Sequence, residues 1–318
     1  TTWSSSSSAP MPFWQTVCLP TSPTLPPKYT PATSLPATDP HPHTTPAASG
    51  CTPQHHHSAM KNHGLVSIIT PTYNSGRFIA QTIESIQAQT YDNWELLITD
   101  DCSDDDTRAI VERYAKADPR IKLFVLEHNS GAGVARNKSI ENAAGRFVAF
   151  CDSDDRWLPA KLEKQLDFMT GGGYALSHTS YLTCDESGAT TGIVVCRKKE
   201  TLGSMLGDDK MGFLTVMYDS SMIGGRPLMP DLRKRQDWAY KLKILEICRE
   251  AHGMKEPLAV YRHTSGSLSN KKRALVKYNI AVYTDVLKWS RLRAYTYFIF
   301  RFMPKYLFKK TLQNYING

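Results

Sequence analysis

Apolar and polar residues alternate along the middle of the chain in a pattern that predicts strands followed by helices. The first apolar run, Leu65–Thr70, is rich in β-branched residues, is closed by Pro71 and suits a strand buried on both faces. Between positions 78 and 86 the apolar residues fall on one side of a helix, and the Asn-Ser pair at 74–75 can cap its start. This segment therefore predicts a strand and then a helix.

The same alternation continues through the first half of the chain. It predicts the strands Trp94–Thr99, Ile121–Leu126 and Phe147–Cys151 and the helices Asp105–Ala117, Gly133–Ala144 and Pro159–Thr170. Strands that alternate with helices of this length are typical of a parallel α/β sheet with right-handed connections. We therefore predict a Rossmann-like, mostly parallel central sheet flanked by helices.

The pattern becomes less regular after the three glycines at 171–173. Short strand candidates follow, and the next helical pattern begins near Gln236 and runs to about Glu250. The strand candidates are Tyr174–Leu182, Ile193–Cys196 and Phe213–Tyr218. This part of the chain is expected to be of mixed structure.

Residues 1–59 differ in composition from the rest of the chain. They are crowded with Ser, Thr and Pro, contain only Lys28 and Asp39 as charged residues, and show no periodic apolar face. Such a segment is expected to be disordered. Its end, three histidines at 55–57 followed by Met60, is typical of an expression tag before a native start. We therefore interpret it as a disordered leader or tag.

The tail at 273–318 is aromatic, basic and helix-patterned. The whole chain carries a net charge of +8, and eleven Lys or Arg residues stand against the single acid Asp285 from Lys271 onward. Arg293 and Arg301 interrupt its apolar part, so no window approaches the roughly 20 apolar residues of a spanning helix. We expect a basic amphipathic helical extension that can lie on a membrane but not cross it.

Composition and cysteine usage limit the class of protein. With 41% hydrophobic and 21% charged residues, the chain can build one sizeable globular core. Seven cysteines include Cys18 and Cys51 in the leader and form no C-x-x-C pair, which favours a reduced, cytoplasmic compartment.

Acidic residues follow two of the predicted strands. Asp100 and Asp101 come after the second strand, and Asp152 to Asp155 come after the fourth. Ligands of open α/β sheets bind at the carboxyl ends of the strands. Asp100 and Asp101 can simply start a turn, but together with Tyr73 they also suit a nucleoside, with an aromatic face for the base and carboxylates for its polar groups.

The second acidic cluster predicts a metal site. Several carboxylates are forced together where a buried strand reaches the surface, and their repulsion is costly unless a cation or protons relieve it. Oxygen ligands of this kind suit Mg²⁺ or Mn²⁺. A capped loop is the alternative. Arg136, at the start of a helix behind a glycine pair, could favour an anion there, although a surface arginine is the commoner outcome.

Several motifs in a fixed order resemble one family. The chain resembles the family-2 inverting glycosyltransferases of the GT-A fold, which build bacterial surface polysaccharides. The resemblance covers roughly Leu65 to Lys272, which implies one GT-A domain over 60–272. It rests on VSIITPTYN, QTYDNWELLITDDCSDDDT, NSGAGVARNKSIENAAGRFVAFCDSDDRWLPAKLEKQL, RQDWAYKLKIL and LAVYRHTSGSLS.

The resemblance also implies roles for individual residues. Nucleotide contacts would come from Thr72, Tyr73, Asp100, Asp101 and Arg136, metal ligation from Asp154, a ribose or outer-shell metal contact from Asp152, and the catalytic base from Asp237. An acceptor hydroxyl that attacks the anomeric carbon must lose its proton, and one carboxylate suffices as base. Trp238 and His263 are candidates for lining the acceptor or donor pocket, with packing or an ordinary loop as the alternative. Arg262 and the basic cluster at 271–273 are candidates for contacts with a donor phosphate or a lipid-linked pyrophosphate, with a solvated charge run as the alternative.

The expected function is therefore metal-dependent transfer of a sugar from a nucleotide-sugar, with UDP-sugar the favoured donor, to a saccharide acceptor. The basic aromatic tail, which resembles an interfacial membrane anchor, favours a lipid-linked acceptor. The expected cofactor is Mn²⁺ or Mg²⁺, and the expected location is the cytoplasm or the inner face of the plasma membrane. No nucleic-acid partner is expected. Two alternatives stay open: a protein that binds nucleic acid or an anionic surface through its basic tail, and a nucleotide-sugar-binding module without catalysis.

Overall fold

The computed structural model describes residues 61–264, 275–304, 306 and 307. The predicted leader at 1–59, with its three histidines, lies outside these residues, as do the basic cluster at 271–273 and the end of the tail.

One sheet contains the ten strands found in the described residues. The strands are β1 Val66–Thr72, β2 Trp94–Asp100, β3 Ile121–Val125, β4 Phe147–Phe150, β5 Arg156–Trp157, β6 Leu176–Cys184, β7 Thr190–Val194, β8 Lys199–Thr201, β9 Met217–Asp219 and β10 Glu250–Arg262. Their order is β3-β2-β1-β4-β9-β6-β10-β5, with β7 beside β6 and β8 beside β10.

Helices connect and cover these strands. They are α1 Ile79–Gln87, α2 Thr107–Ala117, α3 Ala132–Glu141, α4 Lys161–Gly172, α5 Leu202–Met205, α6 Gln236–Cys248, α7 Leu275–Ala281 and α8 Arg291–Tyr297. Short π-helical segments at Val282–Val286 and Phe298–Phe302 extend α7 and α8. Helix α4 ends at Gly173, whose left-handed φ of 64° is the conformation that glycine adopts at low cost after a helix.

The parallel half of the sheet confirms the alternating pattern. Strands β3, β2, β1 and β4 pair in parallel, and every residue of β1 and β2 is buried, as expected for strands covered on both faces. Pro71 does not end β1, which continues to Thr72. The reason is geometric. Cys151 N–H donates to Ile69 O, so the backbone of Ile69 faces β4, and that of Pro71, two residues later, faces the same side. Ile69 is the last residue of β1 that pairs with β4, so the missing N–H of Pro71 removes no hydrogen bond of the sheet.

The predicted cap of α1 is wrong. The helix begins at Ile79, and both Asn74 and Ser75 are held by the loop after β2 instead. Asn74, with a positive φ of 48°, donates its N–H to Ser103 Oγ at 2.9 Å, and Ser75 donates its N–H to Thr107 Oγ1 at 2.7 Å. These bonds fix the loop after β1 against the loop after β2.

The second half is mixed, as expected, but its elements differ from the prediction. The predicted strand Phe213–Tyr218 is a 3-10 turn at Phe213–Thr215 followed by β9. The long strand β10 was not predicted. It pairs in parallel with β6 and antiparallel with β5 and β8, and its register shifts on both sides of Pro257. These irregularities remove the regular alternation by which a strand is recognised.

Two apolar clusters cover the two faces of the sheet, because successive side chains of a strand point to opposite sides. Ile68 belongs to the cluster with α1, α2 and α4, whereas its neighbour Ile69 belongs to the cluster with α3, α5 and α6. The sheet is therefore sandwiched between helices.

The tail packs its inner side on the second cluster. Tyr283 donates its hydroxyl to Leu206 O and meets the Trp238 ring edge to face. The outer side stays exposed, with 80% of Leu292 and 72% of Phe300 accessible to solvent. Among the described residues, none of the helices combines the length and apolar character required to cross a bilayer.

Candidate active site

The carboxyl end of β1 presents a buried hydroxyl and an exposed ring. Thr72 is buried, and its Oγ1 has no hydrogen-bond partner within the described part of the chain. Tyr73 follows with 48% of its surface exposed. A buried hydroxyl without a partner is costly unless a ligand satisfies it. The two residues thus lie where a nucleoside would be expected.

The side chain of Asp100 organises its own loop. The residue is fully buried, its carboxylate accepts the N–H and the hydroxyl of Ser103, and Arg108 lies 3.6 Å away. This is the turn-forming interaction that the sequence left open as an alternative. Each carboxylate oxygen keeps a second lone pair, although the side chain has no surface accessible to solvent.

Asp101 has a different set of contacts. Its two carboxylate oxygens accept the backbone N–H groups of Ser130 at 2.7 Å and Gly131 at 2.8 Å, and its own N–H donates to Thr72 O. Gly131, at a φ of 95°, leads directly into α3. Asp101 therefore holds the start of α3 on the end of β2.

The acidic loop after β4 is a tight turn tied to α1. Asp155 N–H donates to Asp152 O, and Thr82 of α1 donates its hydroxyl to the carbonyls of Ser153 and Asp155. Ser153 Oγ lies 2.8 Å from Ser75 Oγ. These bonds hold the carboxylates close to one another.

The crowding of these acids disturbs their protonation. Burial, together with the charge of Asp152, raises the pKa of Asp154 to about 6. Burial and the charges of Asp154 and Asp152 also raise the pKa of the fully buried Asp155 well above its usual range. Burial and mutual repulsion therefore favour either protons or a bound cation in the acidic loop.

Arg262, at the end of β10, fastens this loop from the opposite side. Its backbone N–H donates to Asp155 Oδ1 and its Nε–H to Asp154 O, both at 3.0 Å. The rest of its guanidinium donates to Gln81 and to Glu186 O. The arginine is buried and its donors are engaged, which favours a supporting role over the tentative phosphate contact.

Arg136 lies at the centre of the site and is not the surface residue that is the commoner outcome. It is buried, its Nη2 lies 2.6 Å from Asp152 Oδ1, and its guanidinium stands 5.0 Å from the Phe213 ring centroid. Its Nε and Nη1 have no hydrogen-bond partner within the described residues. Arg136 also acts electrostatically on Asp154 and on Asp237.

The first turn of α6 brings Asp237 to the same place. A Cβ on Gly133 of α3 would lie 3.5 Å from Gln236 Cγ, so the starts of α3 and α6 are adjacent. The Asp237 side chain is 36% exposed. Burial alone would raise the pKa of Asp237, but the charges of Lys241, Arg136 and Arg235 and the Trp238 N–H outweigh it, so its pKa lies below the ordinary value.

The other two candidate residues, Trp238 and His263, differ in their surroundings. Trp238 is buried, donates its Nε1–H to Met205 O at 2.8 Å and belongs to the apolar core, as the packing alternative anticipated. His263 is exposed, and its backbone N–H donates to Cys184 O.

The residues of the acidic loop fit a divalent cation. Asp152 and Asp154 would supply hard oxygen donors, and a bound cation would relieve the cost of burying the Asp154 carboxylate beside the charge of Asp152. Within residues 61–264, 275–304, 306 and 307, no three His, Cys, Asp or Glu side chains form a complete metal site. Oxygens from a ligand and water would have to complete the coordination, as is usual for Mg²⁺.

Two residues near Asp237 were not anticipated from the sequence. The buried Lys241 of α6 and Asp209, in the loop before the 3-10 turn, lie within ion-pair distance of each other. A lysine in a helix pattern is ordinarily a solvent-facing residue, so nothing in the local sequence marks this pair.

The chain is similar to several known glycosyltransferases. The model of the family described as "Glycosyl transferase family 2" matches residues 67–225. The "UDP-Glc:alpha-D-GlcNAc-diphosphoundecaprenol beta-1,3-glucosyltransferase WfgD" of Escherichia coli is 38% identical over 57% of this chain and 70% of its own length. The crystal structure of S. aureus TarS 1-349 with UDP-GlcNAc superposes with a TM-score of 0.58 at 20% identity, covering 72% of this chain and 69% of that one.

The similarity to the TarS structure concerns the fold alone and identifies it as that of GT-A glycosyltransferases. A relative from Bacillus subtilis (strain 168), named "Putative teichuronic acid biosynthesis glycosyltransferase TuaG", is 42% identical over 231 residues, which are 72% of this chain and 91% of the relative. Because identity at this level extends over nearly the whole relative and the family model matches half of the chain, this protein belongs to glycosyl transferase family 2, the GT-A glycosyltransferases of surface-polysaccharide biosynthesis.

Proposed function

We propose that the enzyme transfers a sugar from a UDP-sugar to a hydroxyl of a lipid-linked saccharide, in one metal-dependent step that inverts the anomeric configuration. The observation that carries the proposal is the position of Arg136, which pairs with Asp152 of the acidic loop and acts on Asp237 of α6. The buried guanidinium of Arg136 thus connects the residues proposed for the donor with the residue proposed as base. Family membership favours this enzyme over the two binding-only alternatives.

The donor nucleoside would lie on the ends of β1 and β2. The exposed ring of Tyr73 offers a stacking surface, the Thr72 hydroxyl has no hydrogen-bond partner among the described residues, and the Asp100 oxygens keep unused lone pairs. Asp101 contributes indirectly, because both of its oxygens already hold the start of α3. The buried Nε and Nη1 of Arg136, which have no hydrogen-bond partner in the described part of the chain, would donate to the donor diphosphate.

Asp154 would hold the divalent cation, with Asp152 as a second or outer ligand because Arg136 already occupies one of its oxygens. When bound, Mn²⁺ or Mg²⁺ supplies positive charge for the diphosphate that leaves. The protein's own contribution is to keep the two carboxylates together through Arg262 and Thr82.

Asp237 would take the proton of the acceptor hydroxyl. Its lowered pKa keeps the carboxylate ionised at neutral pH, and its partial exposure leaves one side open to an acceptor. A single displacement needs no covalent nucleophile, and inversion is its stereochemical consequence.

The relative from Escherichia coli acts, by its name, on an undecaprenol-linked acceptor, which supports a lipid-linked acceptor for this chain. The tail supports it independently. Its exposed apolar side chains, Leu292, Tyr295, Ile299 and Phe300, accompany Arg291, Arg293 and Arg301 without an acidic neighbour between 286 and 307. This combination suits the surface of an anionic bilayer.

The transfer proposal is tested with Asp237→Asn. Release of UDP from UDP-glucose and UDP-N-acetylglucosamine is measured with Mn²⁺ and an undecaprenyl-diphosphate saccharide, and the product configuration is read by NMR. We expect a loss of about 10² to 10⁴ in transfer, with donor binding retained. Glu246→Gln, an exposed acid on the same helix, is the control. Transfer at the wild-type rate in Asp237→Asn, or retention of configuration, would contradict the mechanism.

The membrane proposal is tested by co-sedimentation with vesicles of phosphatidylglycerol at low salt. Serine at Leu292, Ile299 and Phe300 together should abolish binding, because it removes the exposed apolar side chains. Serine at Val195, an apolar residue that is 60% exposed elsewhere, should leave it intact. A wild-type protein that stays in the supernatant would refute membrane association.

A further inference from the structure

Helix α6 carries a fully buried lysine one turn after Asp237. Residues four apart in a helix lie on the same face, so Lys241 stands beneath Asp237. Its Nζ lies 2.7 and 2.8 Å from the two oxygens of Asp209, 2.7 Å from Met211 O and 3.9 Å from Asp237 Oδ2. The first three contacts are hydrogen-bonding distances, whereas the last is too long and is a Coulombic attraction.

Titratable groups from several elements face this lysine and Asp237. They are Arg136 of α3, His178 of β6, Asp209 of the loop at 207–212 and Arg235 at the start of α6. Burial and the charge of Lys241 lower the pKa of His178 to about 4, so this histidine is neutral at physiological pH. The charges that act on Asp237 are therefore three cations and one further acid.

The pair costs free energy that packing alone would not require. A buried ion pair loses the hydration of both partners, and an apolar pair of similar volume is often as stable or more stable. Lys241 lies between apolar residues of α6, Tyr240 and Leu242, that belong to the core. A charge at this position is therefore better explained by its neighbour Asp237 than by the stability of the core.

We propose that Lys241 is a positioning residue for the catalytic base. Asp209 and Met211 hold the ammonium group of Lys241, whose positive charge attracts one oxygen of Asp237 and leaves the other oxygen toward the acceptor. This inference rests on the proposed function, because it assumes that Asp237 takes the acceptor proton. The loop at 207–212 becomes part of the catalytic arrangement through Lys241, although it supplies no group to the reaction.

The test compares Lys241→Met and the double variant Asp209→Asn with Lys241→Met. The single variant leaves Asp209 buried without its cation and can lose stability, whereas the double variant removes both charges together. Lys243→Met, a charge loss on the same helix away from Asp209, is the matched control. Steady-state transfer with saturating acceptor, donor KM and the pH dependence of kcat/KM are measured for each.

For both Lys241 variants we expect kcat to fall about tenfold with a donor KM within twofold of wild type. The acid limb of kcat/KM should move to higher pH, by about one unit for the single variant, since the loss of a neighbouring cation makes a carboxylate easier to protonate. The shift should be smaller in the double variant, because the negative charge of Asp209 is removed as well.

A folded double variant with the wild-type kcat and the wild-type acid limb would overturn the proposal and leave Lys241 as a structural ion pair. Failure of both variants to fold would overturn it as well, since Lys241 would then act in folding. If the wild-type enzyme transfers no sugar, the proposed function fails and the inference falls with it. Wild-type transfer with unaffected variants sinks the inference alone.

Discussion

Substitution of Asp101 separates a structural role from a ligand role at the end of β2. Both oxygens of this buried carboxylate accept backbone N–H groups, from Ser130 and Gly131, at 2.7 and 2.8 Å. The start of α3 has no side-chain cap of its own. We therefore expect Asp101→Ala to destabilise the fold by releasing the segment that leads into α3 and positions Arg136.

The magnitude follows from the two bonds. A hydrogen bond to a charged group contributes about 1.5 to 3 kcal/mol net, and removal of the carboxylate also leaves two N–H groups unsatisfied. Partial access of water to the loop offsets some of this, so a loss of about 3 to 5 kcal/mol is expected. Asp101→Asn keeps one acceptor oxygen and loses the charge, so its loss should be about half as large.

Urea unfolding followed by circular dichroism measures these changes, and calorimetric titration with UDP measures donor binding. Asp104→Ala, an exposed acid in the same loop, should stay within about 0.5 kcal/mol of wild type. A change below about 1 kcal/mol in Asp101→Ala would refute the capping role. If UDP binding were lost at the same time, Asp101 would instead be the nucleotide ligand that the family resemblance implied.

Three further predictions concern residues near the start of β2 and around the acidic loop that follows β4. Burial raises the pKa of Glu95, but hydrogen bonds from Ser67, Lys122 and Ala144 lower it more. The stability that the Glu95 carboxylate contributes is therefore present above about pH 4.5 and is lost as the pH falls through the lower pKa of the folded state. In Glu95→Gln the Tm should therefore depend less on pH in the acid range. Arg262→Met should cost about 3 to 5 kcal/mol in urea unfolding, because it removes the cation beside the buried acidic loop. EDTA should abolish the rise in Tm that a UDP-sugar with Mn²⁺ produces in the wild type, whereas Asp154→Asn should show no such rise with or without EDTA.

The parallel half of the fold could be predicted because each of its strands and helices follows one simple pattern of apolar residues. Buried parallel strands are continuous apolar runs, and the helices that cover them repeat their apolar residues every three or four positions. The same reasoning brought Asp100 and Asp152 to one edge, since parallel strands end together. The limits of individual elements were less predictable, as Pro71 and the start of α1 at Ile79 illustrate.

The supporting residues could not be predicted from local patterns. Arg262 lies 107 residues from Asp155 in sequence, and β10, which carries it, is interrupted at Pro257. The partners Asp209 and Lys241 come from an irregular loop and from a helix whose polarity gives little sign of which side is buried. Such residues act through contacts between distant segments, which only the three-dimensional structure reveals.

The pattern of pairing among the acids supports one position for the cation. Asp152 is paired with Arg136, Asp155 accepts the N–H of Arg262, and Asp237 faces Lys241. Within the described residues Asp154 forms no ion pair, and burial with the charge of Asp152 raises its pKa to about 6. A cation that binds Asp154 would thus neutralise a charge that the protein leaves unbalanced, whereas one that bound Asp152 alone would have to displace Arg136. These electrostatics favour Asp154 as the principal ligand of the proposed cation, and such a cation would leave Arg136 paired with Asp152, between the proposed donor site and the proposed base.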